Sequence, residues 1–318
     1  MIQSNQRSQM AETAPIPMSP EERKLYSPER RLFDLEYADI RKVGSVCAEI
    51  RQRNGNFWQM IKNQKGELNL ESIIEYAKQC LDDTLENRHS RVEESIAESF
   101  WGMSEVLGQN NLRRELDQAF QSLRRNSRTR KLNPEEEKKW AENSQKTDGL
   151  NMRAAKWTNH TLRTTIHLGS DLNYQKVLFS FWQNFERLGQ VFSPENPEST
   201  GKLKRGTLGP LAAIRVLEGM GFQVYLPTPE QDSKKATDLL ARRERKNGQA
   251  DRLALQIKSH KGDKFKMQGE RLEKEIDLTW LEGREYDEAK EKNKLLTSCQ
   301  EYSTFIGHLV LPIWIEVW

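Results

Sequence analysis

The sequence predicts a protein in two parts, α followed by α/β. A helical N-terminal region leads into a domain of order αβββαβ around a mixed central sheet. Three observations carry this reading. Apolar residues recur at three- and four-residue steps from Phe33 to Leu188. The stretch Ser193–Gly206 then concentrates Pro, Gly and Ser, as a domain boundary does. Beyond it, short apolar runs bounded by turn signals alternate with helical patterns.

Each element has a local reason. Residues 1–28 hold Pro15, Pro17, Pro20 and Pro28 among many polar residues and read as a disordered tail. In the helical region, 29–192, Phe33, Tyr37, Ile40, Val43, Cys47 and Ile50 line one face of a first helix. Leu70 to Leu81, Val92 to Leu107 and Leu112 to Leu123 repeat the pattern. Asn126–Gly149 is charged and weakly patterned, with Pro134 opening a polar helix or linker. Val177, Phe181, Trp182, Phe185 and Leu188 mark another helix within Leu172–Val191. The aromatic residues of this half read as core.

The linker, 193–206, gives way to the second domain, 207–318. Leu208, Leu211, Ile214, Leu217 and Met220 form its first helix, with Gly221 at the C-terminal stop. Phe222–Leu226 reads as a strand ended by Pro227 and Pro229. Ala236–Lys246 and Arg252–Ser259 are two more strands, joined at Asn247-Gly248, a two-residue hairpin signal. Glu285–Thr304 is a long helix, and His308–Trp318 a buried strand that can enter the sheet in parallel through the helical crossover. Trp280 reads as a core or cap aromatic.

Composition narrows the function classes. Hydrophobic residues make up 36% of the 318, enough for a sizeable core, and charged residues make up 31%. No apolar run approaches the ~20 residues a membrane helix needs, and the first residues lack the apolar segment of a secretory signal. Cys47, Cys80 and Cys299 are odd in number and far apart, which fits no disulfide framework and points to a reducing cytoplasm. The net charge is only +3, but Lys234–Lys266 holds eleven Lys/Arg against four Asp/Glu. Such a patch suits a nucleic-acid backbone, with Lys261, Lys264, Lys266 and Arg242 as phosphate contacts; Arg243, Arg245 and Lys246 surround the hairpin tip.

The chemistry concentrates in Leu253-Ala-Leu-Gln256-Ile257-Lys258. Side chains alternate along a strand, so Gln256 and Lys258 share one face of an otherwise apolar run. With a two-residue turn at Asn247-Gly248, residue 238 stands opposite residue 257, which brings Asp238 beside Gln256. Hydrolysing a phosphodiester requires a cation near the phosphate, an activated water and stabilisation of developing charge. Mg2+ or Mn2+ takes hard oxygen ligands. Asp238 offers a carboxylate, Gln256 a side-chain carbonyl and Ile257 a backbone carbonyl, while Lys258 can orient the water or neutralise the phosphate. His260 follows as an exposed loop residue.

These residues resemble the PD-(D/E)XK nuclease superfamily, in the variant where glutamine gives a QxK motif, with Mrr-type restriction endonucleases the nearest comparison. The resemblance covers roughly residues 206–318. It places Thr237-Asp238 at the "PD" position and Gln256-Ile257-Lys258 at "(D/E)XK", and implies a restriction-endonuclease-like core. It further implies Asp238 and Gln256 as metal ligands, Lys258 as the catalytic lysine and DNA as substrate, with RNA left open. Many members add an acid on the first helix; Glu218, near that helix's end, is the sole candidate there. A catalytically inactive nucleic-acid-binding module is an alternative. So is a helical scaffold that meets a second copy or a protein partner through its helical region.

Overall fold

An amphipathic helix must cover its apolar stripe, and the N-terminal helices cover theirs with one another. The computed structural model describes residues 18–27, 39–63, 70–86, 90–170, 173–192, 198–262 and 266–318. Six helices make up most of the first half: α2 (Ile40–Asn63), α3 (Leu70–Leu85), α4 (Arg91–Gly108), α5 (Asn110–Thr129), α6 (Pro134–Ser170) and α7 (Gln175–Phe192). Val43, Ile50, Ile96, Phe100, Phe181 and Phe185 meet in their common core; of the aromatic residues expected there, Trp101, Phe120 and Trp182 are buried too, Trp140 and Trp157 are half-buried, and Phe179 faces outward at 66% exposure. Phe33 and Tyr37 lie outside the described residues.

α1 (Pro20–Leu25) departs from the expected tail. Ser19 and Glu22 form a reciprocal capping box. Leu25 and Tyr26 are buried against the C-terminal sheet, and the Glu22 carboxylate, 3% exposed, accepts from Arg252 Nε at 2.5 Å. Residues 1–17 of the expected tail lie outside the described residues.

The expected linker is also corrected. Residues 193–197 lie outside the described residues, but α8 runs unbroken from Glu198 to Gly219. Close approaches at Gly189 of α7 and Gly209 of α8, not at the linker glycines, hold it against its neighbours. A side chain at Gly189 would collide with Thr200, and one at Gly209 with Ser259. Packing thus overrides the weak helix propensity of Gly and Ser. The sequence pattern does not single out residues 150–171, yet α6 continues through them to Ser170. Its 37 residues span about 55 Å at 1.5 Å per residue. Leu162 and Ile166 at its far end enter the core of the second half, so the two parts share a core.

That second half contains β1 (Gln223–Tyr225), α9 (Pro229–Lys235), β2 (Leu239–Glu244), β3 (Ala250–Ser259), β4 (Met267–Arg271), α10 (Gly283–Ile306) and β5 (Leu311–Val317). The sheet order is β1-β2-β3-β5-β4; β3 and β5 are parallel, as expected for a strand that follows a crossover helix, and every other pair is antiparallel. Alternate strand residues face opposite layers. Leu239, Leu255, Ile257 and Ile315 pack on α8 and α6, while Leu240, Ala254 and Trp314 pack on α10 and α1. The expected αβββαβ order is present with two insertions. α9 carries its own signature, Thr228-Pro-Glu-Gln231, with a complete capping box. β4 is a mostly exposed polar edge strand, so it leaves no periodic trace.

The hairpin differs from expectation by one residue. Arg245 N donates to Gln249 O at 2.7 Å and Gly248 N to Arg245 O at 3.1 Å, so the loop is Lys246-Asn247-Gly248. Gly248 takes φ +78°, the left-handed position that closes a three-residue hairpin. Glu244 therefore pairs with Ala250 and Leu239 with Leu255. Extended by one residue, this register sets Asp238 opposite Gln256, not opposite residue 257. The slip matters because directly opposed residues share a face.

Two stability tests follow. Gly248→Ala should cost about 1 kcal/mol in urea unfolding, since a Cβ is disfavoured at positive φ. Glu22→Ala leaves the buried Arg252 without its carboxylate, a loss typically of about 3 kcal/mol when the site cannot rehydrate. Here α1 can detach instead, so limited trypsin digestion should cut at Arg23 or Lys24 much faster than in the wild type.

Candidate functional site

The end of β2 and the continuing β3 create the site. α9 ends at Ala236, which sits in the left-handed region at φ 48°, ψ 48°. It is the one non-glycine residue with positive φ among the described residues. Such a conformation costs roughly 1–2 kcal/mol and survives where surrounding contacts impose it. Here α10 imposes it: Ser298 Oγ donates to Lys235 O at 2.9 Å, and the Thr237 hydroxyl lies 3.3 Å from the Tyr302 hydroxyl. The chain is thereby turned so that Asp238 N donates to Leu255 O at 2.7 Å.

The structure brings Asp238, Gln256 and Ile257 together. Asp238 Oδ2 accepts from Gln256 Nε2 at 2.8 Å and from Ile257 N at 2.5 Å. Backbone groups of alternate strand residues point to the same side. Leu255 O faces β2, so the N–H and C=O of Ile257 do as well, and the Ile257 carbonyl lies past the last β2 pair. The expected oxygen donors are therefore neighbours on the β2 side of β3, with one difference. Gln256 presents its amide nitrogen to Asp238, and its oxygen turns in only on rotation of the amide.

Lys258 stands on the same face, with Nζ 5.5 Å from the Trp314 ring centroid and in an ion pair with Glu291 of α10. Glu316 is its register partner on β5. Glu218 does not join the site: it is exposed at the far end of α8, 3.5 Å from Arg215. Sequence reasoning missed Glu291, whose approach to Lys258 depends on how α10 crosses the sheet.

It missed Asp232 too. Asp232 and Ser233 of α9 join Asp238 in lining a cavity of about 250 Å³ whose opposite wall is α6. Burial, then the neighbouring Asp238 charge, push the Asp232 carboxyl up to about 8, with Lys258 opposing. Burial also raises Asp238, to about 6, against the Ile257 N–H bond and the Lys258 charge. Among the described residues, no three His, Cys, Asp or Glu side chains converge as a metal site.

The expected phosphate contacts separate. Lys261 and Lys266 are exposed near the end of β3, and Lys266 Nζ sits 4.9 Å from the Trp318 ring centroid. Lys264 lies outside the described residues. Arg242 is corrected: it is 2% exposed, with Nη1 2.8 Å from Glu244 and Nε 3.9 Å from Glu22. Its place on β2 turns it into the α1 layer, not outward. His260 is no exposed loop residue, because it stacks on Trp318 at 5.2 Å and is half-buried. Trp280 is 86% exposed in the turn that precedes α10, not core. No described helix is long and apolar enough to cross a membrane.

Both raised carboxyls set a pH dependence in metal-free protein. The unfolded chain releases these protons near 3.9, whereas the folded state holds them to about 6 and about 8. Stability from the neutral forms is therefore present at acid pH and declines as pH rises through that window. Thermal melts in EDTA should show a falling Tm from pH 5 to 8, flattened by Asp232→Asn; an unchanged slope in that variant would remove Asp232 from the buried pair.

Comparison with known proteins adds no name to this geometry: no protein-family model matches the chain, and neither a curated protein nor a solved structure resembles it significantly.

Proposed function

We propose that this protein is a metal-dependent nuclease that hydrolyses phosphodiester bonds, with DNA as its substrate. The observation that carries the reading is the convergence of Asp238, Gln256 and Ile257 beside Lys258 at the end of β3. The setting agrees with it. α8, β1, β2, β3, α10 and β5 follow the αβββαβ order of PD-(D/E)XK nucleases, with β3 and β5 parallel.

The donor set fits Mg2+ or Mn2+. The Asp238 carboxylate, the Ile257 carbonyl and, after amide rotation, Gln256 Oε1 are hard oxygens on neighbouring residues that a cation could gather. Asp232, which lines the same cavity as Asp238, could supply a second carboxylate in place of the first-helix acid that many PD-(D/E)XK nucleases carry. When bound, a divalent cation would polarise the phosphate and lower the pKa of a water. The chain supplies the rest. Lys258 is held in place by Glu291 and the Trp314 face, and a substrate phosphate competes with Glu291 for its ammonium. Once transferred to the phosphate, that ammonium neutralises developing negative charge. Lys261 and Lys266, exposed beyond the strand, can follow the backbone without reading sequence.

The test is cleavage of plasmid and oligonucleotide substrates with Mg2+ or Mn2+. Lys258→Ala should lower the rate by at least about 10²-fold, and Asp238→Asn by more. Gln256→Glu, which restores an acid, should lower the Mg2+ concentration needed for half-maximal rate. Equal activity in wild type and Lys258→Ala would sink the catalytic reading. Salt-dependent binding without cleavage would instead leave a nucleic-acid-binding module on this fold.

A further inference from the structure

The cavity beside Asp238 is built by both halves of the chain. α6 contributes Asn151, Thr158 and Asn159; α9 contributes Asp232 and Ser233; α8 contributes Gly206 and Pro210. At about 250 Å³ it holds the volume of roughly eight waters at ~30 Å³ each. That is far more than a lone ion needs. It is also far too little for a duplex, whose major groove alone is about 12 Å wide.

Its polar groups have unused capacity. Ser233 Oγ is buried without a hydrogen-bond partner. The side chains of Asn151 and Thr158 make no hydrogen bond among the described residues. Asn159 spends one amide hydrogen on Pro227 O at 3.4 Å, which leaves its carbonyl oxygen free. Pro210 lacks an N–H, so the Gly206 carbonyl one turn earlier loses its helical donor, and both residues line the same cavity. Ala154, Ala155 and Leu162 provide an apolar wall. The cavity is thus mostly apolar, and two of its polar atoms, the Gly206 carbonyl and the Asn159 side-chain oxygen, can only accept; it adjoins the carboxylate proposed to act on phosphate.

Resting on the nuclease reading, we propose that this cavity receives one unpaired nucleobase of the substrate strand next to the cleaved bond, and that it favours bases carrying an exocyclic amino group. Cytosine and adenine present such a donor; thymine presents a carbonyl in its place. The helical region thereby becomes part of the substrate site rather than an appended module.

Fluorescence anisotropy of labelled oligo(dC), oligo(dT) and a duplex, with the full-length Lys258→Ala protein in Mg2+, tests this. Oligo(dC) should bind about tenfold tighter than oligo(dT), as one or two discriminating hydrogen bonds allow. Ala154→Leu, which narrows the cavity from α6, should erase that preference and leave the weak salt-dependent binding shared by all three. Asn159→Ala should reduce it, with circular dichroism confirming the fold. Equal affinity for the two oligonucleotides, or a preference untouched by Ala154→Leu, overturns the proposal. Cleavage by wild type without base preference would defeat the cavity assignment alone. Base-selective binding without cleavage would defeat only the catalytic assignment.

Discussion

The register of β2 against β3 is the constraint on which the site depends. Gly248, in the left-handed region, closes a three-residue loop and sets Asp238 across from Gln256. A two-residue loop would shift the pairing by one and turn Asp238 to the face of Ile257. In a sheet buried on both sides, that slip would also exchange Leu239 and Leu240 between two different cores. The hydrophobic layers and the loop geometry thus select the same alignment. Neither alone would need to, because the apolar run of β3 is nearly continuous.

Placing acids at this edge has an electrostatic cost, and the surroundings meet it in different ways. Asp238 takes two N–H bonds and the Lys258 charge, while Asp232 lies in the same buried space with fewer partners. Both carboxyls hold their protons to higher pH as a result. At the opposite end of the sheet the buried charges are paired outright. Glu22 meets Arg252, and Arg242 meets Glu244. A structural end and an under-compensated end share one sheet. That asymmetry separates the candidate site from the other charged clusters of the molecule.

The helical half is bound into this arrangement rather than tethered to it. Leu162 and Ile166 of α6 sit in the same core as Leu255 and Ile257, and Gly209 allows α8 to press onto Ser259. α6 consequently forms one wall over Asp238. A break in α6 or α8 would disturb the sheet's α8-side core and the site together.

Much of this was legible in the residues themselves. Periodic apolar spacing identified most helices, because a helix must bury one stripe whatever surrounds it. The alternation in β3 put Gln256 and Lys258 on one face, and Asn247-Gly248 located the hairpin. Local signals went no further. Gly201 and Gly206 imitate a linker, yet α8 runs unbroken through both. Arg242 belongs to a basic run in sequence, yet strand alternation buries it beside α1. Asp232 and Glu291 are ordinary charged residues until α9 packs on α6 and α10 crosses β3. The chain order determined the elements and the motif, since those depend on neighbours a few residues away. The partners of Asp238 and Lys258, and the wall that α6 sets over Asp238, were decided by tertiary packing, because they join residues brought together only when helical layers close on both faces of one sheet.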